Sequence, residues 1–97
     1  MDEPRSKAPS RELLLANHVF PGEYIVKAFG PGTDDFRGAI RSAAVVVVGE
    51  ERASFTERAS RHGAKVCITL TLNAETVDEV IDVYERIHTV GTLALIL

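Results

Sequence analysis

One stretch limits the fold more than any other: Ala64 to Leu72 alternates without a break. Val66, Ile68, Leu70 and Leu72 fall on one side of an extended chain and Lys65, Cys67, Thr69 and Thr71 on the other, since strand side chains alternate between faces. Such a strand belongs to a sheet with one face on a core and the other toward water. The rest of the chain must therefore supply partner strands and a cover for the apolar face.

Both are legible. Glu23 to Phe29 is a first strand, with Tyr24, Val26 and Ala28 alternating with Ile25, Lys27 and Phe29. Gly30-Pro31-Gly32 is read as its break, and Thr33 as a helix N-cap, with Asp34 and Asp35 where the helix dipole favours negative charge. Phe36, Ala39, Ile40, Ala43 and Val47 recur at helical spacing, and Gly49 is a natural stop. Val45 to Val48 prefer a strand on intrinsic propensity, but the preceding period and the cap favour a helix through them. Ser54 to Arg58 is a second strand anchored by Phe55, joined through Ser60-Arg61-His62-Gly63 to the alternating strand as a hairpin.

Thr76 with Glu79 matches a capping box ahead of a second helix, whose stripe is Val77, Val80, Ile81, Tyr84 and Ile87. Asp82 and Arg86 are spaced to pair on its outer side. After Gly91, Thr92 to Leu97 reads as a last strand. The order is strand, helix, strand, strand, helix, strand. This is the α+β ferredoxin-like βαββαβ two-layer sandwich, a four-stranded antiparallel sheet with two helices on one face. Right-handed crossovers put the first and third strands in the centre. The single domain is expected over residues 18–97. Residues 1–17 are expected to form a mostly disordered arm, rich in Pro, Ser and charge up to Ser10, with Leu13-Leu14-Leu15 as a turn or short helix lying on the domain.

Composition narrows the function classes. The 97 residues suffice for one domain. A formal charge of −3, with the basic residues scattered, argues against nucleic acid as the main partner. The longest apolar run, Ala43 to Val48, is too short to span a bilayer, and Met1 to Arg5 is acidic and polar rather than a signal sequence, so no membrane partner is expected. Cys67 is the single cysteine, which excludes an internal disulfide and a cysteine metal cage and fits a cytoplasmic location.

From Val19 onward, about four-fifths of the chain, the sequence resembles the YbeD-like family of small bacterial proteins of unknown function. The resemblance is carried by Phe20-Pro21, Lys27, Gly30, Ser60, Gly63, the run Ile68-Thr69-Leu70-Thr71-Leu72-Asn73-Ala74, Val80, Tyr84 and the hydrophobic end. The resemblance implies a ferredoxin-like fold similar to ACT domains, which bind amino acids or other small effectors, often at dimer interfaces. Fold similarity alone carries no function.

The chemical constellations are thin. His18, His62 and His88 lack the spacing of a metal motif, so no metal or cofactor is expected. Cys67 has Lys65 on its own face, and Lys27 is a candidate neighbour across strands, but a plain thiol is the simpler reading. Gly30-Pro31-Gly32-Thr33 fits neither dinucleotide nor phosphate-loop spacing, and Asp34 and Asp35 would repel an anion there. The loop also lacks the arginine that the similarly folded acylphosphatases need. On the polar side of the third strand, Lys65, Cys67, Thr69 and Thr71 offer no ring for base stacking.

The sequence thus points to a non-catalytic regulatory or protein-interaction domain, with a homodimer and an unidentified protein partner expected. The alternative is an ACT-like sensor of a small-molecule effector, an amino acid or lipoate-type compound. Lys27, Gly32, Ser60, Arg61, His62 and Gly63 are the candidate ligand-binding residues. No catalytic residue is assigned.

Overall fold

In the computed structural model, which describes residues 9–97, the alternating stretch is strand β3, Lys65–Ala74, at the middle of a four-stranded sheet. The preceding elements are α1 (Arg11–Asn17), β1 (Gly22–Pro31), α2 (Asp34–Val48) and β2 (Ala53–Ala59); α3 (Val77–His88) and β4 (Leu95–Ile96) follow. The strand order is β2-β3-β1-β4 with every pair antiparallel, so β3 and β1 are central. This is the expected ferredoxin-like order, with one helix more than the sequence pattern required.

Alternation sets the layers. Tyr24, Val26 and Ala28 on β1 and Val66, Ile68, Leu70 and Leu72 on β3 are buried under α2 and α3. From α2 come Phe36, Ile40, Ala43, Ala44 and Val48, and from α3 Val77, Val80, Val83, Tyr84 and Ile87. The four valines do continue α2, and Gly49 ends it at φ 84°, a left-handed conformation that costs glycine nothing. Here the tertiary need for an apolar face on the sheet overrides β-propensity.

Thr33 caps α2, its Oγ1 accepting the Phe36 N–H at 3.1 Å. Thr76 caps α3 through the Glu79 N–H at 3.4 Å. The Glu79 side chain of the capping box does more than turn back on its own helix. The Glu79 carboxylate accepts from the Glu75 N–H at 2.8 Å and is gripped by both terminal nitrogens of Arg52, at 2.9 and 3.0 Å. Arg52 also donates to the Asn73 carbonyl, so one guanidinium ties the 3-10 turn Glu50–Arg52 to the end of β3 and the start of α3. Arg86 pairs with Asp82 at 3.0 Å as its spacing suggested.

Two boundaries differ from expectation. β1 does not break at Gly30: Gly30 pairs with Val66, Pro31 with Lys65, and the Gly32 N–H still donates to the Ala64 carbonyl. The last strand is shorter than Thr92 to Leu97, because Leu93 turns into the core and regular pairing to β1 covers only Leu95 and Ile96. Reciprocal Leu97–Lys27 backbone bonds and an Ala94–Phe29 bond flank that pairing. As expected of Leu13-Leu14-Leu15, a short helix ahead of residue 18 lies on the domain: α1 packs on α3, with Leu14 at 2% exposure and Arg11 paired with Asp78. Residues 1–8 of the arm expected over 1–17 lie outside the described residues.

Candidate functional site

The face of the sheet away from the helices carries no covering element among the described residues, and strand register fixes what stands on it. Ser54, Thr71 and Ile25 form one row across β2, β3 and β1, and Thr56, Thr69 and Lys27 the next. Arg58, Cys67 and Phe29 form a third, which Leu95 of β4 extends. Lys65 and Pro31 follow at the hairpin end, and Leu97 lies beside Lys27.

The two halves of this face differ. The β2–β3 half is hydroxyl-rich, with Ser54, Thr56, Thr69 and Thr71. The β1–β4 half is apolar, with Ile25 at 53%, Leu95 at 39% and Leu97 at 59% exposure around the half-buried Phe29. Lys27, Arg58 and Lys65 are its cations, and none has an ion-pair partner among the described residues. Its one acid is Glu23, opposite Asn73 at the far end of the strands. Most of the remaining acids among the described residues lie on the helical side and the connections: Asp34 and Asp35 on α2, Asp78, Glu79, Asp82 and Glu85 on α3, Glu50 and Glu51 before β2. The helical side also holds arginines, but Arg11, Arg37, Arg52 and Arg86 there are paired with acids, so the unpaired cations of the open face set it apart.

A shallow depression of about 560 Å³ spans Lys27, Phe29, Arg58, Cys67, Thr69 and Leu97. A smaller and more apolar pocket, about 260 Å³, adjoins it beside Phe29, Arg58, Ser60, Lys65 and Cys67. Glu57 also borders the depression, but its carboxylate is held by Arg37 Nε at 2.9 Å, which keeps the Arg37 guanidinium above its ordinary pKa.

The structure divides the residues singled out from sequence. Gly32, Ser60 and Gly63 meet at one end of the sheet. The Ser60 hydroxyl accepts the Lys65 N–H at 3.2 Å, the Gly63 N–H donates to the Ser60 carbonyl, and Gly63 has φ 75°. A side chain on Gly32 would run into the Gly63 carbonyl oxygen, so its glycine serves the close approach of two loops. Arg61 and His62 are exposed in the same turn. Lys27 stands apart, four residues before Pro31 and so about 13 Å along the strand. Phe29, Arg58 and Lys65 join the site through strand pairing, with no local sequence signal to mark them. Phe29 is the ring that β3 lacks, and only the pairing of β1 with β3 sets it beside Cys67.

Elsewhere several titratable groups have structural employment. The Tyr24 and Tyr84 hydroxyls lie 3.2 Å apart in the core, and burial, then the Tyr24 hydrogen bond, raises Tyr84 above the ordinary phenol range. His18 rests on the Tyr24 ring, and His88 Nδ1 lies 2.9 Å from the Tyr84 carbonyl. Among the described residues no group of three His, Cys, Asp or Glu is placed to hold a metal ion, and no helix is long and apolar enough to cross a membrane.

The sequence pattern of a family described as "Protein of unknown function (DUF493)" matches residues 16–97, from the end of α1 through the last strand. No curated protein and no solved structure matches the chain.

Proposed function

The chain belongs to this family of proteins of unknown function (DUF493), and from that premise we propose that it is a non-catalytic protein-interaction domain. It works through the open sheet face and pairs with a second copy of itself along the free edge of β2. The observation that carries the reading is the segregated face: unpaired cations and exposed apolar side chains share one surface, while the acids lie mostly on the other layer. The free Cys67 thiol fits the reducing cytoplasm.

Self-association is supported by the edge. β2 has seven residues bonded to β3 on one side only, without a proline or bulge to blunt the other. An antiparallel pairing centred on Thr56 sets Arg58 opposite Ser54 of the second copy and Glu57 opposite Phe55. No like charges then face each other directly. Sedimentation velocity from about 1 to 100 μM tests it, a range suited to small interfaces. A concentration-dependent dimer is expected, and a monomer throughout would refute the pairing.

The pocket of about 260 Å³ favours a second reading, an ACT-like sensor of a small organic anion. A thermal-shift screen with amino acids and lipoyl compounds tests it. A ligand at a hundred times its Kd stabilises by about 2.7 kcal/mol, and no shift across the panel would remove this reading.

A further inference from the structure

We infer that the partner taken by the open face is an acidic, extended segment of another protein with the pattern acid, any residue, apolar residue, any residue, acid. This inference rests on reading the open face as the working surface and adds the chemistry of what it binds.

The argument begins with what the face rejects. A second copy laid face to face would bring Lys27, Arg58 and Lys65 against the same three cations, with only Glu23, at the far end of the strands, to answer them. Like charges across an interface cost several kcal/mol in discrimination. The occupant must therefore be anionic where it meets these groups. A single-stranded nucleic acid is anionic, but it needs ring platforms for successive bases. Here Phe29 is the only ring on the face, and Ile25, Leu95 and Leu97 are aliphatic. Aliphatic anchors suit apolar side chains.

Spacing then sets the pattern. Strands lie about 4.8 Å apart and rise about 3.3 Å per residue, so the backbones at Lys27, Arg58 and Lys65 stand roughly 8–14 Å from one another around Phe29 and Cys67. In an extended peptide the first, third and fifth residues line one side, with the outer two about 13 Å apart. An apolar residue seated against Phe29 and Leu97 thus carries carboxylates on either side toward the cations. Thr56 and Thr69 share the row of Lys27 and line the same depression, where their hydroxyls can donate to a carboxylate. Glu57 does not oppose the segment directly, because Arg37 holds its carboxylate.

The test is an amide-shift titration of the ¹⁵N-labelled full chain with a synthetic peptide repeating Glu-Ser-Leu-Ser-Glu. Its Gln-Ser-Leu-Ser-Gln counterpart, a single-stranded oligothymidylate and octanoate are titrated in parallel. The acidic peptide is expected to move the amides of Lys27, Phe29, Arg58, Cys67 and Thr69, and the glutamine peptide to bind at least about tenfold more weakly. Lys27→Glu and Arg58→Glu, at exposed unpaired positions, should keep the native spectrum and each weaken the acidic peptide by about tenfold. Unchanged affinity in both variants would overturn the inference. Shifts with the oligonucleotide or octanoate but not with the peptide would overturn the peptide partner while keeping the face as the site. Silence from all four probes would overturn the inference and the open-face reading together.

Discussion

Replacing Gly30 by alanine puts a methyl group where the Phe36 ring already stands. A Cβ built on Gly30 falls 2.5 Å from Phe36 Cε1 and 2.8 Å from Cε2, whereas carbon atoms touch at about 3.5–4.0 Å. The ring must retreat by roughly 1 Å, and Phe36 is 1% exposed inside the contact between α2 and the sheet. Overfilling a packed core costs about 1–3 kcal/mol, and alanine's smaller backbone entropy loss returns about 0.5–1 kcal/mol. A net loss of about 1.5 kcal/mol lowers Tm by about 6–12 °C for a domain of this size.

The mechanism makes a sharper prediction than the single change. Phe36→Leu alone should cost about 1–2 kcal/mol, below the 3–5 kcal/mol of a full Phe→Ala truncation. In the double variant the Gly30 methyl fills part of the space the ring vacates, so the combined loss should fall short of the sum by about 1 kcal/mol or more. Urea unfolding of the four proteins closes the cycle. Additivity within about 0.5 kcal/mol, or a neutral Gly30→Ala, would refute the steric account and return this turn to consideration as a binding loop.

Two groups should mark the pH dependence of stability. The Glu79 carboxyl is held below its ordinary 4.5 by the Arg52 pair against the opposing effect of burial, so its contribution is present above pH 4.5 and lost as pH falls through the folded value; Glu79→Gln should flatten the acid limb of a denaturation-midpoint profile. The Tyr84 hydroxyl is raised above its ordinary 10.0, so its contribution is present below pH 10 and lost as pH rises further; Tyr84→Phe should cost about 1 kcal/mol at neutral pH through the lost hydrogen bond and lessen the alkaline fall.

The fold was legible where local signals agreed. Thr33 and Thr76 cap the helices they precede, the period-two pattern of β1 and β3 sets which side is buried, and Gly49 ends α2. Legibility failed where partners distant in sequence decide the outcome. Gly30 and Pro31 read as a break because both disfavour strands, yet pairing with Val66 and Lys65 carries β1 through them. Thr92 to Leu97 reads as one strand, but Leu93 is drawn under the helices to fill the core. The Glu79 carboxylate was legible as a capping group, but not its pairing with Arg52, which reaches it from before the β2–β3 hairpin.

The candidate site shows the same division more strongly. Gly32, Ser60 and Gly63 cluster because a turn glycine beside a strand end and a hairpin serine are local motifs, and the geometry gives each a backbone task. Arg58, Cys67 and Phe29 share no local motif. They become neighbours only through two strand registers, and a slip of one residue in either would send one of them to the helical side. Their side chains are thus reporters of register as well as candidate contacts. Buried Val66, Ile68 and Leu70 hold that register by filling the core, so changes at Arg58 or Lys27 can alter recognition while leaving the sheet intact. On the proposed reading, the residues that build the face are thus distinct from those that would read a partner, and the charge reversals at Lys27 and Arg58 are expected to act on the second set alone.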